Sequence, residues 1–218
     1  MNNTRWKPRR MPLRAALAAL ASLALMIGTS AALEPADKVA AVASNMEVMQ
    51  VQGGAGSSSS IVTLLRGTLR NSSPTDLIID LTAETGLYTT ATLLGAGDSE
   101  ARAKIVVWIE IDGQYVPVTY DSNGDGVFND PDNGRVVLNN RDFGLSSVNL
   151  AAVLTAFQRT RSANAFHWVA LNVGSGIHTI EVKGYLETTN LGAANAAAAV
   201  GKRVMIVEPS KLANDATV

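Results

Sequence analysis

The sequence predicts a mainly β protein: an antiparallel β-sandwich or jelly-roll-like fold with one short helix around residues 148–160. Three observations carry this. Apolar and polar residues alternate with period two through several short runs, the signature of half-buried strands. Turn residues, among them Asp112-Gly113 and Gly174-Ser175-Gly176, separate those runs. Regular helices between strands, which a parallel βαβ sheet requires, are missing, and no internal repeat suggests a propeller or solenoid.

The first 32 residues are set apart from the fold. Arg5, Lys7, Arg9, Arg10 and Arg14 precede the apolar run 15–28, and TSAA (29–32) supplies small residues for cleavage. Charged, apolar and small segments in that order are the plan of a signal peptide. The apolar run is too short for a transmembrane helix, and no later segment is long enough, so the expectation is an exported protein (periplasmic, cell-surface or secreted) with no membrane span after cleavage. Arg9-Arg10 hints at twin-arginine export, but Pro12 follows closely and the route stays open.

Removing 1–32 leaves 13 basic and 19 acidic residues, a net charge of −6. That balance argues against a nucleic-acid partner, which needs a basic stripe. The chain has no cysteine, which excludes disulfides, thiolate metal sites and cysteine nucleophiles. Such a domain must be held by its core.

Residues 33–60 read as a flexible lead-in, with one strand near 46–52 and the tract GGAGSSSS (53–60) setting no structure by composition. A single domain is expected over 61–218. IVTLLRGTLR (61–70) and DLIIDLTAET (76–85) read as strands around the turn NSSPT, and ATLLGAGDSEARA (91–103) as loop. KIVVWIEIDGQYVPVTY (104–120) reads as a hairpin turning at Asp112-Gly113. RVVLNN, FHWVALNV, IHTIEVKGYLETT and KRVMIVEP follow as strands, with Gly-Ser-Gly suggesting a second hairpin. Leu150, Val153, Leu154 and Phe157 stand at helical spacing, with Ser146 or Ser147 as a cap. NLGAANAAAAVG (190–201) has alanines enough for a helix, but its glycines favour a loop.

One stretch points at a specific chemistry. Residues 121–132, DSNGDGVFNDPD, put Asp121, Asn123 and Asp125 at alternate positions, Gly126 at the sixth, Val127 at the seventh and Phe128 at the eighth. Asn129 and Asp132 fill the ninth and twelfth. Calcium takes six to eight oxygens, and a short loop supplies them only when alternate side chains point inward and a glycine allows the sharp turn. The twelve residues resemble EF-hand-like DxDxDG calcium loops, such as those of secreted bacterial dockerins and thrombospondin-type repeats. The resemblance implies Ca2+ held by Asp121, Asn123, Asp125, Asn129, Asp132 and the carbonyl of Val127. Two features depart from it: the last position is Asp132 instead of a bidentate glutamate, and strands flank the loop where an EF-hand has helices. A calcium clip joining two strands fits better than a helix pair. Turn formation alone would also use Asp, Asn, Gly and Pro, but would not require oxygen donors at these positions.

Elsewhere the signals are weaker. His167 and His178 sit in strand-like runs without zinc or catalytic spacing. Asp80, Glu84, Glu110, Asp112, Glu181 and Glu187 lie in or near strands, and spacing selects no hydrolytic pair among them. Trp108, Tyr115, Tyr120, Trp168 and Tyr185 form either a sugar-stacking platform or, more simply, core aromatics. No catalytic residue is assigned. The expected function is a non-enzymatic calcium-binding β-domain that engages a polysaccharide or surface protein. The alternatives are a cell-surface assembly subunit and a carboxylate-pair hydrolase.

Overall fold

The alternating runs need pairing partners, and the computed structural model supplies them in two antiparallel sheets. It describes residues 39–51, 55–119, 121, 123–127, 129–149 and 152–210. The leader expected over 1–32 lies outside the described residues, as do Tyr120, Phe128 and Leu150. In chain order the elements are β1 (Val39–Ala43), β2 (Glu47–Val51), β3 (Gly56–Asn71), β4 (Thr75–Leu94), β5 (Gly97–Ile111), β6 (Gln114–Tyr115), α1 (Pro131–Gly134), β7 (Val136–Ser147), β8 (Val153–Val173), β9 (Gly176–Leu191) and β10 (Ala193–Ser210).

The front sheet runs β1–β10–β4–β8, with β2 also on β10; the back sheet runs β3–β9–β5–β6, with β7 also on β5. β1 and β2 lie end to end along one edge of β10, facing 203–207 and 196–200. β6 and β7 likewise share one edge of β5. Except from β1 to β2 and from β5 through β6 to β7, each strand passes to the opposite sheet. This is jelly-roll connectivity, one of the two expected arrangements.

Alternation drives the assembly. Along β4 every second residue is buried, Leu77, Ile79, Leu81, Ala83, Leu87 and Ala91 among them. All of these but Ala91 pack against Ile105, Val107 and Ile109 of β5 and Ile180, Val182 and Leu186 of β9 in one core cluster.

Several expectations from sequence are corrected. The helix around 148–160 is absent: residues 153–173 form β8, paired with β4 from Val153↔Leu94 to Val173↔Thr75. A helix would have buried Val153, Leu154 and Phe157 on one face, but they are 65%, 45% and 67% exposed. The helix that does form among the described residues is the single turn α1, with Asp130 as N-cap and Pro131 at its start. The alanine-rich 190–201 is mostly central strand β10. Ala194, Ala196, Ala198 and Val200 point into the core, and pairing on both sides outweighs alanine's helix preference. The expected loop 91–103 is strand except for the turn at Gly95-Ala96. The strand expected near 46–52 is β2, but the rest of the expected flexible lead-in also holds β1, and Gly56–Ser60 already belong to β3, paired with β9. Gly-Ser-Gly carries the chain from front sheet to back, so it is no hairpin turn. The hairpin at Asp112-Gly113 does form, with both residues at positive φ (51° and 83°), as a two-residue turn between twisted strands demands.

One buried cation ties three backbone irregularities together. β10 bulges between Val200 and Arg203, β3 bulges between Thr63 and Leu65, and the β1–β2 edge breaks over 44–46. Arg203, 4% exposed, donates from Nε to the Leu64 carbonyl (2.8 Å) and from Nη1 to the carbonyls of Asn45 (2.7 Å) and Gly201 (2.8 Å). Its Nη2 reaches Asn45 Oδ1 (3.0 Å), with Glu47 at 3.7 Å. Burial lowers the Arg203 pKa, and Glu47 works against that shift. Arg203→Met is expected to lower the unfolding free energy by roughly 3 kcal/mol, because the carbonyls lose their donor inside the fold. Urea denaturation measures it, and a loss below about 1 kcal/mol, within the range of ordinary substitutions, would contradict the role given to this side chain.

Candidate metal centre

The acidic stretch hangs from the back sheet as a long excursion between β6 and α1. Its stem is rigid. Val116 is buried and Val118 packs on the core. Tyr115 stacks on Trp108 (centroids 5.8 Å apart, planes at 24°), and the Arg135 guanidinium lies 4.7 Å from the Trp108 ring centre. Arg135 also donates to the Tyr115 hydroxyl (3.3 Å). The two ends of the excursion thus close over one indole.

Asn133 of α1, fully buried, holds both limbs. Its carbonyl accepts from the backbone of Val118 (2.8 Å), its Nδ2 donates to the Val127 carbonyl (2.8 Å), and its Oδ1 accepts from the Thr119 hydroxyl (3.3 Å). Asp130 Oδ1 caps α1 by accepting from the Asn133 backbone N–H (3.1 Å). Sequence reasoning missed Asn133 and Arg135. Asp130-Pro131 is a helix-start signal that would have placed α1, but nothing local shows that the next asparagine is buried.

Within that frame three of the six expected ligand residues, Asn123, Asp125 and Asp132, are bonded to one another, and Asp121 is tied to the loop backbone. Asp121 Oδ2 accepts from the Gly126 N–H (3.0 Å), and Asp125 Oδ1 from the Val127 N–H (2.8 Å). Asn123 Nδ2 donates to Asp125 Oδ2 (3.0 Å) and to Asp132 Oδ2 (2.6 Å), while its Oδ1 accepts from the Asp125 N–H (3.1 Å). Gly126 has φ 78°, the conformation its position in the resemblance requires. Two ligand residues stand differently. The Val127 carbonyl is engaged by Asn133, and exposed Asn129 lines a cleft of about 400 Å³ with Thr119, Pro117 and Leu171. The single helical turn α1 begins at Pro131, within the last positions of the loop, and leads into strand β7.

Among the described residues no three histidine, cysteine, aspartate or glutamate side chains converge as a ready metal-ligating group. The reason is visible in the loop. The Asn123 amide stands between two carboxylates and supplies the partial positive charge that keeps them together. One atom is left over: Asp121 Oδ1 is buried and has no hydrogen-bond partner, a costly state for a carboxylate oxygen.

The other residues considered from sequence are accounted for individually. Trp108 and Trp168 are each 1% exposed, so neither can stack on a sugar. Five of the six candidate carboxylates have donors beside them: Asp80 faces His167 (2.5 Å), Glu84 Arg161 (3.1 Å), Glu110 the Trp108 indole N–H (2.7 Å) and Glu181 Lys183 (2.9 Å), with Asp112 the fifth. Asp112 forms the tightest unit. Its Oδ2 is 2.7 Å from His178 Nδ1 and its Oδ1 accepts from the Thr179 N–H (2.8 Å), while His178 Nε2 is 2.9 Å from the Gly174 carbonyl. Facing an acceptor at each ring nitrogen, His178 is satisfied fully only as imidazolium. Its pKa is accordingly raised, first by the bond to Asp112, against the opposing effect of burial. For Asp112 burial acts to raise the value, but the bonds from Thr179 and His178 outweigh it and the net shift is downward.

No family model matches the chain, and no curated protein matches it. Among solved structures it is similar to that of infectious bursal disease virus, Gx strain, at 10% identity over 78% of this chain and 37% of that one, with a TM-score of 0.19. It is also similar to the carbohydrate-binding module TmCBM61 in complex with β-1,4-galactotriose (11% identity, 79% of this chain and 89% of that one, TM-score 0.15). A third is the parasporin-2 Bacillus thuringiensis toxin that recognizes cancer cells (11% identity, 80% and 72%, TM-score 0.18). The chain spans little more than a third of the viral chain. Likeness at these TM-scores carries no functional argument.

Two outcomes follow for the stem and its neighbouring turn. Asn133→Ala should lower the unfolding free energy by about 1–3 kcal/mol, since buried groups lose their partner; unchanged urea denaturation would refute the anchoring role. A raised folded-state pKa means the His178 contribution is full below its unfolded value near 6.5 and lost as pH rises through the folded value. The Asp112 contribution is present above its unfolded value near 3.8 and lost as pH falls through the folded one. The stability gap between wild type and His178→Asn should therefore widen, on the order of 1 kcal/mol, from pH 8 to pH 5. A gap independent of pH in chemical denaturation would refute it.

Proposed function

We propose that the chain is an exported, non-enzymatic jelly-roll domain that binds calcium in the 121–132 loop and engages a polysaccharide at its surface. The observation that carries the calcium reading is the buried, unpartnered Asp121 Oδ1 inside a loop that already gathers Asn123, Asp125 and Asp132. A cation would give that oxygen a partner and offset the repulsion among Asp121, Asp125 and Asp132, which Asn123 now moderates with an amide dipole. Asp121, Asn123, Asp125 and Asp132 would hold the ion by side-chain oxygens, with Asn129 and the Val127 carbonyl completing the set. Asn123 would turn its oxygen inward in place of its donor. Asn133 and the Trp108 clasp keep the stem fixed, so the ion braces a loop and does not drive a change in fold. The absence of a catalytic role rests on the candidate carboxylates: five of the six have a hydrogen-bonding or cationic partner of their own.

A second reading, a cell-surface assembly subunit, is favoured by β8. This strand pairs with β4 alone, and its other edge carries no partner strand among the described residues. Exposed Val153 and Phe157 near its start add apolar surface. Concentration-dependent sedimentation would favour that reading, and a monomer across the range would remove it.

The calcium reading is tested by melting the protein in chelator and in millimolar calcium. At ten to a hundred times the dissociation constant, stabilisation should be about 1.4–2.7 kcal/mol. Asp121→Ala and Asp125→Ala should each abolish it. A wild-type melting temperature indifferent to calcium sinks the reading.

A further inference from the structure

The outer face of the front sheet carries a groove that none of the preceding chemistry uses. Its floor is made of small outward residues brought side by side from different strands: Gly86 of β4 lies opposite Ala199 of β10, and Ala197 lies opposite Tyr88. On the β8 side Gly86 lies opposite Arg161, and Tyr88 opposite Arg159. The missing side-chain volume leaves a trough of about 290 Å³. A second trough of about 450 Å³, lined by Thr82, Ala163 and Lys202, adjoins it, and Glu84 borders both. Together they cross the face of the sheet.

The walls are of two kinds. Tyr88 lines the trough, and exposed Phe157 stands beside it, with ring centroids 6.5 Å apart and planes inclined by 32°. Next to them stand the cations. Arg161 is neutralised by Glu84 (3.1 Å), and the Glu84 carboxyl is held below the usual range, first by the Arg161 hydrogen bond and further by Lys202. Arg159 has no acidic partner among the described residues, so with Lys202 it leaves positive charge beside the two troughs. Aromatic faces suit the apolar faces of sugar rings, a planar guanidinium suits a carboxylate bidentately, and a long trough suits a polymer.

We infer that this groove binds an acidic polysaccharide, a uronate-containing chain whose rings stack on Tyr88 and Phe157 and whose carboxylate pairs with Arg159. The inference rests on the polysaccharide part of the proposed function and gives it a site and a charge. It is independent of calcium. Trp108 and Trp168 contribute nothing to it, since both are buried.

Isothermal titration tests it with hexagalacturonate and hyaluronan hexasaccharide as acidic probes, maltohexaose as the neutral probe and a thymidine oligonucleotide as a different polyanion. Short oligosaccharides keep calcium-induced gelling out of the measurement. At least one acidic probe should bind ten times or more tighter than maltohexaose, weakening as salt rises. Tyr88→Ala and Arg159→Ala should each weaken binding about tenfold, and Arg159→Glu should abolish it. Gly86→Leu fills the trough; a Cβ there meets only ordinary contacts, with the Thr160 carbonyl at 3.8 Å and the Ala199 methyl at 3.9 Å, so this variant should fold normally and lose binding. Its melting temperature serves as the control. Binding of maltohexaose alone would overturn the acidic assignment while leaving a polysaccharide role standing; no binding of any glycan would overturn both. Tighter binding of the oligonucleotide, or unchanged affinity in Gly86→Leu and Arg159→Glu, would also overturn the groove. The calcium reading is judged separately by its melting curves.

Discussion

The structure depends on a single guanidinium. A jelly roll alternates its chain between two sheets, and wherever strands bend or slip, carbonyls leave the ladder and need donors. Here three such places meet: the break in the β1–β2 edge, the bulge of β10 and the bulge of β3. Arg203 reaches all of them with a planar set of donors that lysine, a point charge on a flexible stem, does not offer. Burying a cation is costly, and it persists because four oxygens of this fold surround it. The same bulge places Gly201 and Lys202 on the outer face, beside Glu84, where the two troughs meet.

How much of this was legible in the sequence depends on how local the determining interaction is. The Asp112-Gly113 hairpin was readable because the two turn residues dictate their own backbone. The alternation in 76–85 was readable because one side of each strand faces the core. The failures are cases where distant pairing decided the outcome. VLTAFQRT carries both a helical and an alternating pattern, and pairing along β4 selected the strand, leaving Phe157 on the surface. The alanines of β10 look helical alone, but alanine is also the side chain that a tightly paired central strand tolerates on both faces. Gly-Ser-Gly is a turn in either architecture, and only the sheet order shows that it changes sheets.

The two sites divide along the same line. The acidic loop was legible as a local motif because its residues act within twelve positions of one another, and Asn123 bonds both Asp125 and Asp132. What escaped was its support: Asn133 and Arg135 act through Val118, Val127 and Trp108, contacts that no short pattern encodes. The groove escaped altogether. Its floor comes from residues 86, 197 and 199 and its walls from 88, 159 and 161, with 157 beside them, so a glycine in a strand and two alanines in a low-complexity run become informative only after register brings them together.

That division bears on how the two proposed sites would relate. The loop hangs from β6 and α1 on the back sheet; the groove is floored by β4 and β10 of the front sheet. Coupling between binding events requires an element with two arrangements, biased differently by each ligand. The groove floor is regular paired strand whose inward side chains belong to the packed core, and the loop stem is fixed by Asn133 and the Trp108 clasp. Neither supplies such an element. A cation in the loop would therefore act on the stability of the domain and leave the affinity of the groove alone. That arrangement suits the proposed role of a chain without cysteine: the ion would strengthen a fold that no disulfide holds, while recognition is left to a surface the core already keeps in place.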